Sequence, residues 1–166
     1  DKANIALDVQ AMQDALLVGR EALAGIVYTE GENSPIYDSS GVKVDLRSLA
    51  GFSINAPERM QGNPLYQVAV YALRDGQGFY LGKEAGHYAD TIVQEALTQG
   101  APLRSPVAAE AAVVLNLWME LVNELHLTVT NCKNRMFSDS DAVQAIDGAA
   151  AYWIGDGEVS DTDSSK

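Results

Sequence analysis

Apolar residues return every three or four positions along most of this chain. Ile5, Val9, Met12, Leu16, Leu23 and Ile26/Val27 keep that spacing, which predicts a helix from Asn4 to Tyr28 with Asn4 as its cap. Thr29–Val44 is dense in Gly, Ser, Asn and Pro. It predicts a long loop of the kind that carries function. Asp45 opens a short helical turn through Leu46, Leu49 and Phe52, and a second loop, Ser53–Asn63, follows. Pro64 suits the first position of a helix to Leu73, and the glycine-rich Arg74–Gly82 interrupts it. Lys83–Gln99 reads as helix again, stopped by Gly100 and Pro102. Ser105-Pro106, a cap followed by a first-turn proline, opens a helix to Asn131 that spans about 40 Å. Ser138 or Ser140 caps a last helix, Asp141–Ile154, which Gly155 ends. No segment alternates with period two. The expected fold class is all-α: a bundle of four main helices with short helical pieces and long loops. Residues 1–155 are expected to form a single domain, and the acidic, Ser-rich 156–166 a disordered tail.

Composition narrows the partners. Lys and Arg number 11 against 23 Asp and Glu, a net charge of −12. Phosphate binding needs clustered Lys and Arg, so nucleic acid is not an expected partner. No apolar run approaches the roughly 18 residues of a membrane span. The chain opens on Asp1 rather than Met, so a removed leader or trimmed segment is expected. Cys132 is the only cysteine. It is expected to be a half-buried, inert thiol, the alternative being a bond to a partner outside this chain.

The stretch from Val113 to Gly155 concentrates the chemistry. On a helical wheel Ala111, Leu115, Trp118, Val122, Leu125 and Val129 form one stripe, and Val113, Leu117, Leu121 and Leu127 cover much of the other side. A helix apolar on all sides is expected to be buried by its neighbours. Glu120 and Glu124 lie one turn apart, about 40° from each other, and can converge on one cation. His126 lies roughly 160° away from Glu124 and cannot join them. The competing reading puts both glutamates on a solvated surface strip. Gly148, in mid-helix, costs about 1 kcal/mol relative to alanine and implies close packing on the central helix.

Other candidates are thinner. Glu84 and His87 have the Glu-x-x-His spacing of di-iron bundles, but such a centre needs two of these motifs and two more glutamates. His87, Tyr88 and Asp90 could hold a single hard cation. Seven tyrosines offer phenolate, which with carboxylate suits a hard trivalent ion, although each is more often a packing residue. No nucleophile elbow, dinucleotide or phosphate loop, or zinc pattern is present, and no enzymatic activity is expected.

Three segments carry a family resemblance: Ile26–Ser34 (IVYTEGENS) with Asp45–Ser53 (DLRSLAGFS), Leu115–Leu125 (LNLWMELVNEL) followed by Cys132, and Asp141–Gly155 (DAVQAIDGAAAYWIG). Their order and spacing resemble one half of the algal low-iron-inducible periplasmic proteins, the phytotransferrins, over roughly Tyr28 to Gly155. The resemblance implies a secreted, periplasmic or cell-surface protein of ferric iron uptake. It also implies Fe³⁺ as the bound ion, with a carbonate-type synergistic anion. Glu124 keeps the family's acidic position, whereas Asn123 stands where the family often has His and Glu120 where it is often aromatic. Glu124 is then the expected ligand, with Glu120, Tyr152, Tyr28 or Glu32 as further oxygen donors and the Thr29–Asp38 loop closing over them. The alternative is a helical interaction module that docks on a larger extracellular or organellar assembly through the Tyr28–Tyr37 loop. A hydrolase without a recognisable motif is the third reading.

Overall fold

The computed structural model describes residues 2–60, 62–64, 79–80, 83–84, 87–98, 104–138 and 142–155. The expected Pro64–Leu73 helix, the Arg74–Gly82 break and the 156–166 tail fall outside them, apart from a few residues. The fold is all-α, as its periodicity predicts.

The expected first helix is two. α1 spans Ile5–Leu17 and α2 spans Glu21–Glu30. The apolar rhythm runs across the join, but Gly19 sits at φ +69° and turns the chain there. α1 buries Ile5, Asp8, Met12, Ala15 and Leu16, and α2 buries Ala24, Val27 and Tyr28. Gly31 ends α2 at φ +71°, and a Cβ there would lie 2.3 Å from the Arg47 carbonyl oxygen. Only glycine meets both demands.

The long loop contains a hairpin that the sequence did not announce. β1 (Pro35–Tyr37) pairs antiparallel with β2 (Lys43–Leu46), with a bulge between Ile36 and Tyr37. Asp38 closes the turn. Its Oδ1 accepts from the Ser40 hydroxyl at 2.6 Å, the Ser40 amide at 2.8 Å and the Val42 amide at 3.0 Å. These bonds, the Ser40 hydroxyl foremost, hold the Asp38 carboxyl below its ordinary pKa. The predicted Asp45 helix therefore starts later: α3 is Leu49–Ile54, capped by Ser48 Oγ, which accepts from the Gly51 amide at 3.1 Å. α4 follows at Ala56–Arg59.

A second two-stranded ribbon, β3 (Phe79–Tyr80) with β4 (Lys83–Glu84), replaces the expected start of the next helix. That helix, α5, runs His87–Thr98. The long central rod begins as α6 (Arg104–Ala112), passes through a five-residue π turn (Val113–Leu117) and continues as α7 (Trp118–Lys133). α8 is Gln144–Ile154. α7 packs on α8, α6 on α5 and α1, and α3 on α2, α5 and the π turn.

The main core joins Ile5, Met12, Tyr28, Phe52, Val93, Leu117 and Tyr152. A smaller cluster sets Met60 and Ala56 against Ala89 and Met119. The central rod is not buried all round. Trp118, Leu125, Leu127 and Val129 are exposed, while Leu117, Glu120, Leu121 and Glu124 face inward. The π turn shifts the face of α7 relative to that of α6, but the four exposed residues all lie within α7, whose outer face no described element covers. Cys132 is exposed rather than half-buried.

Candidate metal centre

Both carboxylates of the central helix are inside. Glu120 is fully buried and Glu124 nearly so, which overturns the surface-strip reading. Each is met by a cation from a distant part of the chain. Arg59 Nη2, at the end of α4, donates to Glu120 Oε1, and Lys2 Nζ, ahead of α1, donates to Glu124 Oε1. Glu120 Oε2 is buried with no hydrogen-bond partner among the described residues.

Tyr152 of α8 completes the cluster. Phe52 meets its ring edge-on at 5.5 Å, and the Lys2 ammonium lies 5.5 Å from its centroid. Burial raises the Tyr152 phenol pKa well above its ordinary value, and the neighbouring Glu120 carboxylate adds to the rise, while Arg47 opposes it. Burial likewise raises Glu120, against the pull of Arg59. Arg47 is held in turn by Ser34, whose hydroxyl accepts from Nη1 at 2.9 Å. Asn123, between the two glutamates, accepts a 3.3 Å bond from Asn63 Nδ2. The cluster thus combines two carboxylates and one phenol with the cations Lys2, Arg47 and Arg59.

Gly148 explains how Lys2 enters. A Cβ at Gly148 would lie 2.5 Å from Lys2 Nζ and 3.1 Å from Glu124 Cδ, so the expected close packing of α8 on the central helix is real. Gly148→Ala should push the ammonium off Glu124. Amine-directed labelling of Lys2 should then become several-fold faster, and leaving the buried Glu124 without its cation should cost more than the about 1 kcal/mol that alanine gains over glycine within a helix. Unchanged labelling would contradict this close approach.

The other expected ligands lie elsewhere. Tyr28 is fully buried, but the groups that act on its hydroxyl are Asp90, Ser53 and Asn116, a different set. The Glu32 side chain is exposed, and its amide donates to Asp8 Oδ1 at 3.1 Å. That bond and the 2.9 Å bonds from the Asn33 amide and side chain tie the start of the Thr29–Asp38 loop down. His87 is exposed, whereas Asp90 turns one oxygen into the interior and Tyr88 packs on the smaller cluster. Those three do not share a site. Among the described residues no three of His, Cys, Asp or Glu come within reach of one metal ion.

Searches of family models, curated proteins and solved structures found no match for this chain.

Sequence reasoning missed Lys2, Arg47 and Arg59, which stand 122 and 61 residues from the carboxylates they pair with in the cases of Lys2 and Arg59. In so acidic a chain any scattered cation is a candidate partner for a buried glutamate, but nothing in the local sequence says which one.

Proposed function

We propose that this domain binds a hard, highly charged metal ion, Fe³⁺ in the reading that the phytotransferrin resemblance supports, at a secreted, periplasmic or cell-surface location. Glu124, Glu120 and Tyr152 are the oxygen ligands. Tyr28 and Glu32 take no part. One observation carries the reading: Glu120 is fully buried with its Oε2 free, beside a buried phenol. A carboxylate in such a place costs several kcal/mol unless a cation uses it. The donor set is all oxygen, which suits a hard ion. Lys2 and Arg59 reach in from partly exposed positions, Arg59 with 41% of its side chain exposed, so both can swing out as an ion enters. Arg47 and Arg59 offer charge for a carbonate-type anion.

Adding Fe³⁺ and bicarbonate should give a visible tyrosinate-to-iron charge-transfer band. Tyr152→Phe should abolish it while leaving the fold intact. Binding requires loss of the proton that burial holds on Tyr152, so uptake should release a proton and weaken on acidification. No band, or a band that survives in Tyr152→Phe, would sink the proposal.

A second reading is a docking module, favoured by one feature. Trp118 and Trp153 are 51% and 67% exposed, with ring centroids 6.1 Å apart. They flank a groove of about 320 Å³ walled by Val9, Val113, Leu117 and Ile154. Apolar exposure of this kind on an acidic chain fits a protein partner with an apolar centre and a basic rim. Elemental analysis of protein from its native source separates the two: stoichiometric iron supports the first, and a metal-free protein held in a stable complex supports the second.

A further inference from the structure

We propose a second, separate site at the π turn, where Tyr28, Ser53, Asp90 and Asn116 hold a small hard cation of charge one or two.

Four elements meet there. α3, which carries Ser53, packs on α2 with Tyr28, on α5 with Asp90 and on the π turn with Asn116. Tyr28, Ser53 and Asn116 are fully buried. The Tyr28 hydroxyl, Asp90 Oδ1 and both amide atoms of Asn116 are shut off from solvent, and none makes a hydrogen bond of normal geometry among the described residues. Ser53 donates to the Ala50 carbonyl at 3.2 Å, which leaves its oxygen lone pairs free. Asp90, Ser53 and Asn116 all lie close enough to the Tyr28 hydroxyl to act on its proton affinity. The four groups thus converge on one spot, where Asp90 Oδ1 and both Asn116 amide atoms complete no hydrogen bond of normal geometry among the described residues.

Asn116 is the decisive residue. It interrupts the apolar run Val113–Leu117, and both its polar atoms lack a hydrogen bond of normal geometry among the described residues. Leaving them so costs about 1–3 kcal/mol for each unmade bond. The π turn that carries Asn116 is itself a costly irregularity, found in helices mostly where a function needs it.

Charge decides between an ion and a water. A buried water can complete the hydrogen bonds, but it brings no charge to Asp90, whose Oδ1 is shut off from solvent and which has no ion pair among the described residues. A cation does both. Burial, with the Asp90 carboxylate adding to it, keeps the proton on Tyr28, so the donors are one carboxylate and three neutral oxygens. A single negative charge suits an alkali or alkaline-earth ion rather than a trivalent one.

The test uses the whole chain, dialysed free of metal, melted in sodium, potassium, magnesium or calcium chloride against choline chloride at equal ionic strength. One of the four ions should raise the melting temperature by roughly 3–6 °C. Asn116→Leu and Asp90→Asn should abolish the shift, and Glu120→Gln should keep it. If Asn116→Leu fails to fold, Ser53→Ala gives the same readout. The proposal is overturned by equal melting in all salts, by a shift that survives in both Asn116→Leu and Asp90→Asn, or by one lost in Glu120→Gln. The last outcome would place the ion at the Glu120–Glu124 cluster.

Discussion

Arg59→Met should cost the domain about 3 kcal/mol at pH 7, whereas Glu120→Gln should cost less than about 1 kcal/mol and still abolish ferric binding. The asymmetry follows from where the two partners sit. Removing Arg59 leaves a fully buried carboxylate without its cation. Removing the Glu120 charge leaves a guanidinium that is 41% exposed and keeps its water. The cost of Arg59→Met should shrink on acidification, because Glu120 can then take a proton. The sign for the intact protein follows from the same shift. The Glu120 pKa is raised in the folded state, so the folded state binds its proton more tightly than the unfolded chain. Its contribution to stability is full below the unfolded value and is lost as pH rises through the raised one. Urea unfolding between pH 4 and 8 should therefore show a slope that Glu120→Gln flattens. Equal losses in the two variants would mean that the pair is an ordinary structural bridge, and the argument that Glu120 is kept for a ligand would fall.

The Glu120–Arg59 pair is expensive to keep buried. A leucine at 120 and a methionine at 59 would fill the same space without desolvating a charge, and replacements of that kind often stabilise a protein. A chain that keeps Glu120, Glu124 and three cations around one buried tyrosine is carrying charge that its fold does not need. The same holds at the π turn, where Asp90 Oδ1 and both amide atoms of Asn116 are out of water without a hydrogen bond of normal geometry among the described residues. Both places break the local rules that the rest of the chain obeys, and such breaks concentrate at functional sites.

How much of this was legible in the sequence depended on the range of the forces involved. The helices α5, α7 and α8 could be read because their apolar spacing, and Gly155 after α8, act within a turn or two. Glu120 and Glu124 were found for the same reason, being one turn apart on a single helix. The break between α1 and α2 was not read, since Leu16, Leu23 and Ile26 keep their rhythm across it and only the positive φ of Gly19 turns the chain. The hairpin was missed because strands of three and four residues are too short for period two to emerge. The wheel of the central rod failed because apolar spacing alone does not say which face the rest of the chain covers: Trp118, Leu125 and Val129 recur like core residues and are exposed. Lys2, Arg47 and Arg59 were invisible for a different reason: a buried carboxylate selects its cation by folding, not by neighbourhood. Tyr28 and Tyr152 looked alike as phenols in the sequence, and only the packing of α3 and α8 separates them into two clusters.

Asp8→Ala should be as damaging as the loss of Arg59, at roughly 3 kcal/mol. Asp8 is fully buried, and its Oδ1 gathers three donors, the amides of Glu32 and Asn33 and the Asn33 side chain. These fasten the loop after α2 to the first turn of α1. Removing the acceptor leaves three donors unmet at about 1 kcal/mol each. Asp8→Asn keeps an amide oxygen at the same place and should cost about 1 kcal/mol, the difference between a charged and a neutral acceptor. The loop also carries Ser34, which holds the Arg47 guanidinium. Loosening it should therefore reach the Tyr152 cluster from a distance. In Asp8→Ala the charge-transfer band of added iron should weaken or shift while Tyr152 itself is untouched, and in Asp8→Asn it should stay. Urea unfolding and the iron spectrum together test this. A variant that loses no stability would show that the loop is held by its hairpin alone. One that loses stability with an unaltered band would show that Ser34 and Arg47 do not help to shape the site.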